Sequence, residues 1–375
     1  VIIRLSKQQY IGFLSMKYVY NRLKNGTKEV PKSVIFREEA ARKNNLIPCY
    51  FLFSHLSGSK DHITALVNEN GVYQEKRIPV PRVIYNLEWT SPIREKIIKR
   101  LTQKGIKVFN EINILRKYKF QKILEANPEF HRYLPETKIG NLQNLQEMMQ
   151  KYTQLILKPD NGIIGKGILK LQKVNKKDWC LSYKAREGKR RYWKEITFQD
   201  TIPEMLQQTL ENNVYLIQNL LPLATYQGSP FDFRVSTQKN GSGNWEVSAI
   251  IGKVAREGTF LTNIEQGASA YTLDELMKEY PHLNADQLRK QITSLAIKIA
   301  HLYSKHVPHP ADLGFDIAIT PQGDLYYIEC NFISAYSGFT IKNGVLLHEE
   351  WKAVFTNPID YARYLLDNET NSKNK

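Results

Sequence analysis

The sequence predicts an α/β (α+β) fold in several parts, and three observations carry that reading. The first hundred or so residues alternate short apolar runs with helical patterns, a glycine-rich segment then lies between two short strands, and the last third is rich in strands. At 375 residues the chain is long enough for two or three domains. Hydrophobic residues make up 42% and charged residues 24%, an ordinary globular composition that excludes disordered, collagen-like and disulfide-built classes.

Taken in order, Val34 to Phe36, Pro48 to Phe53 and Val83 to Tyr85 read as strands. Ile93 to Leu101 reads as a helix with Ile93, Ile97, Ile98 and Leu101 on one face. Together they suggest a small α/β domain over residues 1–112 without recognisable chemistry. Leu115 to Leu124 reads as helical and is stopped at Asn127 and Pro128. Leu155 to Leu157 and Ile168 to Leu171 are strands around the glycine-rich segment, and a polar basic stretch runs on to about Gln199. Within it the densest basic cluster, Lys184 to Arg191 with Lys194 after it, reads as a solvated loop. Val214 to Gln218 opens a third, strand-rich region.

Thr272 and Glu275 have capping-box spacing. Leu288, Ile292, Leu295, Ile299 and Leu302 mark one face of a long helix. Trp351 to Leu366 reads as helical pieces broken at Pro358, and 368–375 as a disordered polar tail. The divisions that follow are 1–112, 113–213, 214–367 and 368–375.

The charge is less ordinary than the composition. Lys and Arg exceed Asp and Glu by 53 to 37, leaving +16. Such a surplus favours anionic partners and also serves solubility. Cys49, Cys180 and Cys330 are far apart and odd in number, which speaks against a disulfide framework or a zinc knuckle and fits a reducing, cytoplasmic setting. No apolar run approaches the roughly 18–20 residues that span a bilayer. The first residues carry neither an initiator Met nor a signal-peptide pattern, so slight trimming is the expectation. His306 and His309 sit among Pro308 and Pro310, and read as a loop in preference to a metal pair.

The most informative segment is Gly314 to Asn331. Two alternating runs flank Pro321 to Asp324, the pattern of a β-hairpin. If Thr320 pairs with Leu325, Asp316 opposes Glu329, and Asn331 shares their face. Phe315, Ile317, Ile319, Tyr326, Ile328 and Cys330 then face the core. Opposed carboxylates repel unless protonated or neutralised by a cation. Two carboxylates and an amide oxygen suit Mg²⁺ (with Mn²⁺ as an alternative), completed by substrate phosphates. An isolated hairpin of this kind more often points its acids at solvent; the glycine-rich neighbour tips the reading toward metal.

That neighbour runs Lys158, Pro159, Asp160, Asn161, Gly162, Ile163, Ile164, Gly165, Lys166, Gly167. Glycines let backbone N–H groups approach a phosphate. It is neither a Walker loop, since Gly167 follows Lys166 and a strand follows the loop, nor a dinucleotide turn. Further on, Asp232 and Arg234 share one strand face, and Lys253 and Arg256 follow. Cations on apolar strands need an anionic partner, a protein carboxylate or a bound phosphate.

In this order the elements resemble the ATP-grasp superfamily, and most closely its YheC/YheD-type branch, described as endospore coat-associated in spore-forming Firmicutes. The resemblance rests on Leu155 to Gly167, Leu216 to Gln218, Phe231 to Arg234, Arg256 with Thr262, Asn263 and Gly267, and Asp316, Glu329 and Asn331. It implies a two-lobe ATP-grasp fold after the N-terminal domain, with ATP and Mg²⁺ as cofactors. By this resemblance Lys119 and Lys158 contact nucleotide, with Lys117 and Lys122 as neighbouring candidates for the first. Gly162, Gly165, Lys166 and Gly167 form a lid, and Gln218, Asn219, Leu220 and Leu221 hold adenine. Arg234 and Arg256 face the γ-phosphate and acyl intermediate, while Asp316, Glu329 and Asn331 hold the metal. Two positions depart from the pattern. Gln218 stands where many relatives carry Glu, and Phe332 to Ala335 follow Asn331 where many ligases have a nearby Pro.

The implied activity is ligation of a carboxylate to an amine or thiol through an acyl phosphate. Two other classes follow in rank. One is a coat-associated structural protein, in the mother cell or on the spore, that keeps the fold with little turnover and has coat components as partners. The other is a binder of nucleic acid or another anionic polymer, the least favoured.

Overall fold

A computed structural model of the chain describes residues 9–26, 30–56, 61–114, 116–162, 165–187, 190–332 and 349–373. Three six-stranded sheets follow one another in sequence.

The first sheet contains β1 (Tyr10–Leu14), β2 (Ile47–Phe51), β3 (His62–Glu69), β4 (Val72–Pro79), β5 (Val83–Asn86) and β6 (Lys107–Phe109), in the order β4-β3-β2-β1-β5-β6. β1 pairs in parallel with β2 and β5, and β5 with β6. Strands covered on both faces can be apolar throughout, and β5 is buried at all four positions. Helices α1 (Lys17–Lys24) and α2 (Lys32–Lys43) cover one face, and α3 (Pro92–Gln103) the other.

Two expectations are corrected here. Val34 to Phe36, read as a strand, lies in α2. The buried face of α2 includes Arg37 and Glu38 beside Val34, Ala40 and Ala41, so no apolar period shows in the sequence. In α3, Ile98 and Leu101 are buried but Ile93 is 73% exposed.

After α4 (Lys117–Glu125), the second sheet joins β7 (Thr137–Ile139), β8 (Gln154–Pro159), β9 (Leu169–Lys173), β10 (Trp179–Glu187), β11 (Arg190–Phe198) and β12 (Tyr215–Asn219), in the order β11-β10-β9-β8-β12-β7. Helices α5 (Leu142–Lys151) and α6 (Glu204–Asn212) cover one face through Leu145, Met148, Leu206 and Leu210. β12, read above as opening the third region, thus hydrogen-bonds between β8 and β7. The basic cluster read as a solvated loop is strand: β10 and β11 pair from Trp179↔Phe198 to Glu187↔Arg190.

The third sheet holds β13 (Thr225–Tyr226), β14 (Ser229–Lys239), β15 (Trp245–Val254), β16 (Ser269–Thr272), β17 (Asp312–Ile319) and β18 (Leu325–Asn331). Its main path is β16-β15-β14-β17-β18. One face carries Phe231, Phe233, Phe315 and Ile317 against the long helix α8 (Ala285–Ser304), whose Leu288, Ile292, Leu295, Ile299 and Leu302 are buried as their spacing predicts. The short helix α7 (Leu273–Met277) starts with Thr272 Oγ1 accepting from Glu275 N–H, one half of a capping box.

The last helix, α9 (Ala353–Lys373), is continuous through Pro358, against the expected break, and extends through most of the expected disordered tail. Pro358 cannot donate to the carbonyl four residues earlier. Gln238 Nε2 donates to that Val354 carbonyl instead, at 2.8 Å. α9 packs Ile359, Ala362 and Leu366 into the core of the first sheet and Val354 and Phe355 against the third. No described helix is long and apolar enough to cross a membrane.

Candidate functional site

The charged face of the third sheet is a ladder across four strands. Asp232 on β14 pairs in register with Lys253 on β15, Arg234 on β14 with Asp316 on β17, and Asp316 with Glu329 on β18. Opposite charges on cross-strand neighbours attract, and each acid here has a cation beside it. Arg234 donates to Asp316 from Nε at 2.6 Å and from Nη2 at 3.3 Å. Lys253 Nζ lies 3.0 Å from Asp316 Oδ1 and 3.1 Å from Asp232 Oδ1, the latter an ion pair without hydrogen-bond alignment. Lys117 Nζ reaches Glu329 Oε2 at 2.6 Å from α4, and Asn331 Nδ2 donates weakly to Glu329 Oε1 at 3.4 Å.

The predicted opposition of Asp316 and Glu329 is present, but the hairpin reaches it by another route. Ile319 pairs with Leu325, so the turn is one residue longer than expected, and a bulge beyond Asp316 restores the register. The bulge reverses the faces nearer the turn. Tyr327 enters the core, whereas Tyr326 and Ile328, expected there, do not, and Ile328 lines the cleft.

Burial alone would raise the pKa of every acid in this cluster. For Asp316 that push is overcome by Arg234 and Lys253, which hold it well below the usual carboxylate range. Glu329 is likewise held low by Lys117 against burial and the Asp316 charge. Asp232 goes the other way: burial and Asp316 outweigh Lys253 and the Thr262 hydrogen bond, raising it to about 6. Lys117 and Lys253, which burial would depress, are raised by their acidic neighbours.

The facing wall comes from the second sheet. Lys158 sits on β8, two residues beyond Ile156. Its ammonium has no hydrogen-bonded or ion-paired partner among the described residues, and burial lowers its pKa to about 8 despite the attraction of Glu329. Lys158, Gly162, Gly165, Lys166, Gln218, Asn219, Leu220 and Leu221 all line one narrow cavity with Lys117, Asp316 and Glu329. Ile156, Ile168, Leu223 and Leu261 add apolar surface. Asn219 Oδ1 is buried without a hydrogen-bond partner, and Gln218 Nε2 donates to Thr137 Oγ1 at 2.9 Å.

Gly165 and Gly167 have φ of +64° and +74°, the region that favours glycine, and a Cβ on Gly165 would lie 2.7 Å from Asn263 Oδ1. The loop therefore rests directly on the third-sheet side. Tyr215 fixes its far end by donating to the Gly167 carbonyl at 2.9 Å. Ile163 and Ile164 lie outside the described residues.

Not every predicted residue arrives. Lys119 is exposed and lines no part of the cavity; Lys117 occupies that place. Asp160 explains the choice, because its Oδ1 accepts from Tyr118 N–H at 2.8 Å and its carbonyl from Lys117 N–H at 3.2 Å. It thereby anchors the start of α4 beside the loop. Arg256 is exposed and outside the cavity. Arg234 reaches the site through Asp316 and is not part of the cavity lining. Lys253, passed over as a site residue, is central; its signal was the lysine on an apolar strand. The basic hairpin also meets the third-sheet side, with Trp193 5.0 Å from Phe260 and Lys184 against Gln266. Of the residues after Asn331, Ile333 to Ala335 are outside the described ones.

The donors fit a divalent ion. Among the described residues no group of three or more His, Cys, Asp or Glu side chains is placed to hold a metal, so nothing here resembles an all-protein cage. Two ionised carboxylates and the Asn331 amide oxygen are the partial set that Mg²⁺ takes when phosphates complete its shell. Lys158 and the Asn219 amide oxygen, both without a partner among the described residues, fit the other end of a nucleotide. The narrow cavity holds about 110 Å³, and Asn263 and the glycine loop lie on its lining.

Comparison with known proteins gives the family and the fold. The family model described as YheC/D like ATP-grasp matches residues 105–365. "Endospore coat-associated protein YheD" of Bacillus subtilis (strain 168) is 27% identical over 310 residues, 80% of this chain and 66% of its own. "Endospore coat-associated protein YheC" of the same strain is 26% identical over 212 residues, 56% of each chain. The matches thus span somewhat less than two thirds of those relatives' own lengths. Among solved structures, ATP-grasp ligase PsnB with precursor peptide PsnA2 and AMPPNP has a TM-score of 0.53 at 12% identity, covering 95% of this chain and 99% of the other. D-cycloserine synthetase DcsG has 0.52 at 11%, covering 95% and 99%. At such identities the likeness is one of fold.

Proposed function

The chain belongs to the YheC/D-like ATP-grasp family, and from that premise we propose that it binds Mg-ATP between its second and third sheets and uses it to ligate a carboxylate to an amine or thiol. The observation that carries this reading is the pairing of a self-neutralised acidic ladder with a lysine that has no partner among the described residues, across one cavity. The structural neighbours include ATP-grasp ligase PsnB in complexes with Mg and ADP, which supports the same chemistry here.

In this reading adenine lies along Gln218 to Leu221 against Ile156, with Asn219 Oδ1 as an available acceptor. Lys158 and Lys117 face the phosphates, and the glycine loop closes over them. Asp316, Glu329 and Asn331 hold the divalent ion, which supplies charge neutralisation at the transferring phosphoryl group. The substrate carboxylate oxygen bonds to the γ-phosphorus, the bond to the β–γ bridging oxygen breaks, and ADP leaves. The amine nitrogen or thiol sulfur then attacks the acyl carbon, orthophosphate leaves and the nucleophile's proton passes to solvent. Positioning and charge do most of this work, so no nucleophilic side chain is needed. Arg234 keeps Asp316 ionised and aimed; Arg256, outside the cavity, has no role in the proposal as the chain stands.

The test is a thermal-shift and ADP-release assay with Mg-ATP, run with hydroxylamine to trap any acyl phosphate as a hydroxamate. Wild type is stabilised and releases ADP with a suitable acid; the Asp316→Asn, Glu329→Gln double variant does neither. Equal stabilisation of both removes the metal assignment. The exposed position of Arg256 and the coat-associated names of the relatives favour a second reading, a coat-located nucleotide binder with little turnover. Stabilisation without ADP or hydroxamate across many acids selects it.

A further inference from the structure

A second, larger cavity of about 1230 Å³ adjoins the narrow one, and Lys117, Lys158, Gly162, Gln218, Ile328 and Glu329 line both. We propose that this cavity takes an extended acidic polypeptide segment, so that the carboxylate presented for ligation belongs to a peptide; this rests on the ligase reading above.

Size is the first argument. Pockets for small ligands run to about 300–1,000 Å³, and this one exceeds that range while remaining continuous with the reacting end. A single amino acid would leave most of it empty.

The lining is the second. Tyr18, Trp89 and Ile114 are 69%, 46% and 50% exposed, and all three border this cavity. They account for three of the eight large exposed hydrophobics among the described residues, and such clustering marks an interaction site. Basic residues are interleaved with them: Arg22, Lys32, Arg37, Arg116, Lys117 and Lys158. Against those six stand four acids, Glu95, Asp160, Glu265 and Glu329. Asp160 and Glu329 are paired with two of the six, Arg116 and Lys117, so among the described residues the lining keeps two more bases than acids. Arg37 is buried, with its guanidinium 5.9 Å from the Tyr85 ring centroid and 5.8 Å from that of Phe355, so a cation is fixed within an apolar wall.

The mixture discriminates between anionic polymers. A nucleic acid brings a phosphate at every step and would meet Glu95 and Glu265 as well as the lysines. A peptide with spaced carboxylates and apolar side chains can match cations and aromatic surfaces in turn. The overall +16 charge draws such a chain in.

The experiment measures fluorescence polarisation of a short labelled peptide of glutamate, phenylalanine and glycine, using the full chain with Mg²⁺ and a non-hydrolysable ATP analogue. Its glutamine counterpart, free glutamate and an oligothymidylate serve as competitors. The acidic peptide is expected to bind, with each competitor at least about tenfold weaker, and Trp89→Ala or Lys32→Glu to weaken it by about three- to tenfold. Both variants should keep the wild-type Mg-ATP thermal shift, since neither residue lines the narrow cavity. Free glutamate or the oligothymidylate competing as well as the peptide overturns the inference, as does peptide binding that ignores both substitutions. Those results with an intact Mg-ATP shift refute the peptide inference alone; a missing shift in wild type refutes the ligase reading beneath it.

Discussion

The two walls of the narrow cavity carry similar residues in opposite states. On the third sheet, Asp316, Arg234, Lys253, Asp232 and Glu329 form a set of ion pairs that Lys117 completes from α4. On the second, half-buried Lys158 and Asn219 Oδ1 have no hydrogen-bonded or ion-paired partner among the described residues. A charge ladder that neutralises itself can be built before any ligand arrives. A partly desolvated lysine without a carboxylate beside it is a standing cost, tolerated where an anion is due to bind. The acidic wall is thus part of the fold's stability, and the lysine wall opposes it.

The largest effect should come from breaking the ladder. Asp316→Ala leaves Arg234 and Lys253 buried without their carboxylate, and is expected to cost about 3–5 kcal/mol of stability, measured by denaturant unfolding. Asp316→Asn keeps the shape and should cost less.

Lys158→Met should act in the reverse direction on the ligand-free protein. Its pKa falls from 10.5 to about 8 on folding, worth up to about 3 kcal/mol against the folded state. The substitution therefore raises the unfolding free energy while it weakens Mg-ATP binding. The same group gives a pH signature. Between about 8 and 10.5 the unfolded chain holds a proton on Lys158 that the folded chain has lost, so this group's contribution rises with pH across that window. Wild-type stability should show that upward component, and the Met variant should lack it.

Gly165→Ala sharpens the comparison at the seam between the walls. A Cβ there meets Asn263 Oδ1, and φ of +64° is unfavourable for alanine, so the closed loop loses about 1–2 kcal/mol. Nucleotide affinity should fall accordingly. Adding Asn263→Ala should recover part of it, since the steric component goes and the backbone component stays. Smallest of all is Lys119→Ala, which should change Mg-ATP affinity by less than about twofold, like most exposed charges away from a site. Lys117→Ala, by contrast, removes the partner of Glu329.

Local chemistry explains which of these features could be read from sequence. Alternation placed Asp316 opposite Glu329 because a strand's period is two, and a compensating bulge beyond them kept that pair intact. The same bulge hid Tyr327 and Ile328, since nothing in Leu325 to Asn331 marks where the extra residue lies. α8 was legible because its buried face is wholly apolar, whereas α2 was not because its buried face carries Arg37 and Glu38. Pro358 misled because its substitute donor, Gln238, is distant in the chain. Lys119 was preferred over Lys117 because the anchoring of α4 by Asp160 is a tertiary contact between separate segments. The glycine loop was legible in position, but its contact with Asn263 was not.

The central claim is that Asp316, Glu329 and Asn331 grip a divalent ion facing Lys158. Crystals grown with Mn²⁺ and ADP, measured at the manganese absorption edge, test it most directly. The account predicts an anomalous peak bounded by oxygens of those three side chains and by the diphosphate. A peak elsewhere in the molecule, or nucleotide bound with no peak beside Asp316 and Glu329, would contradict it.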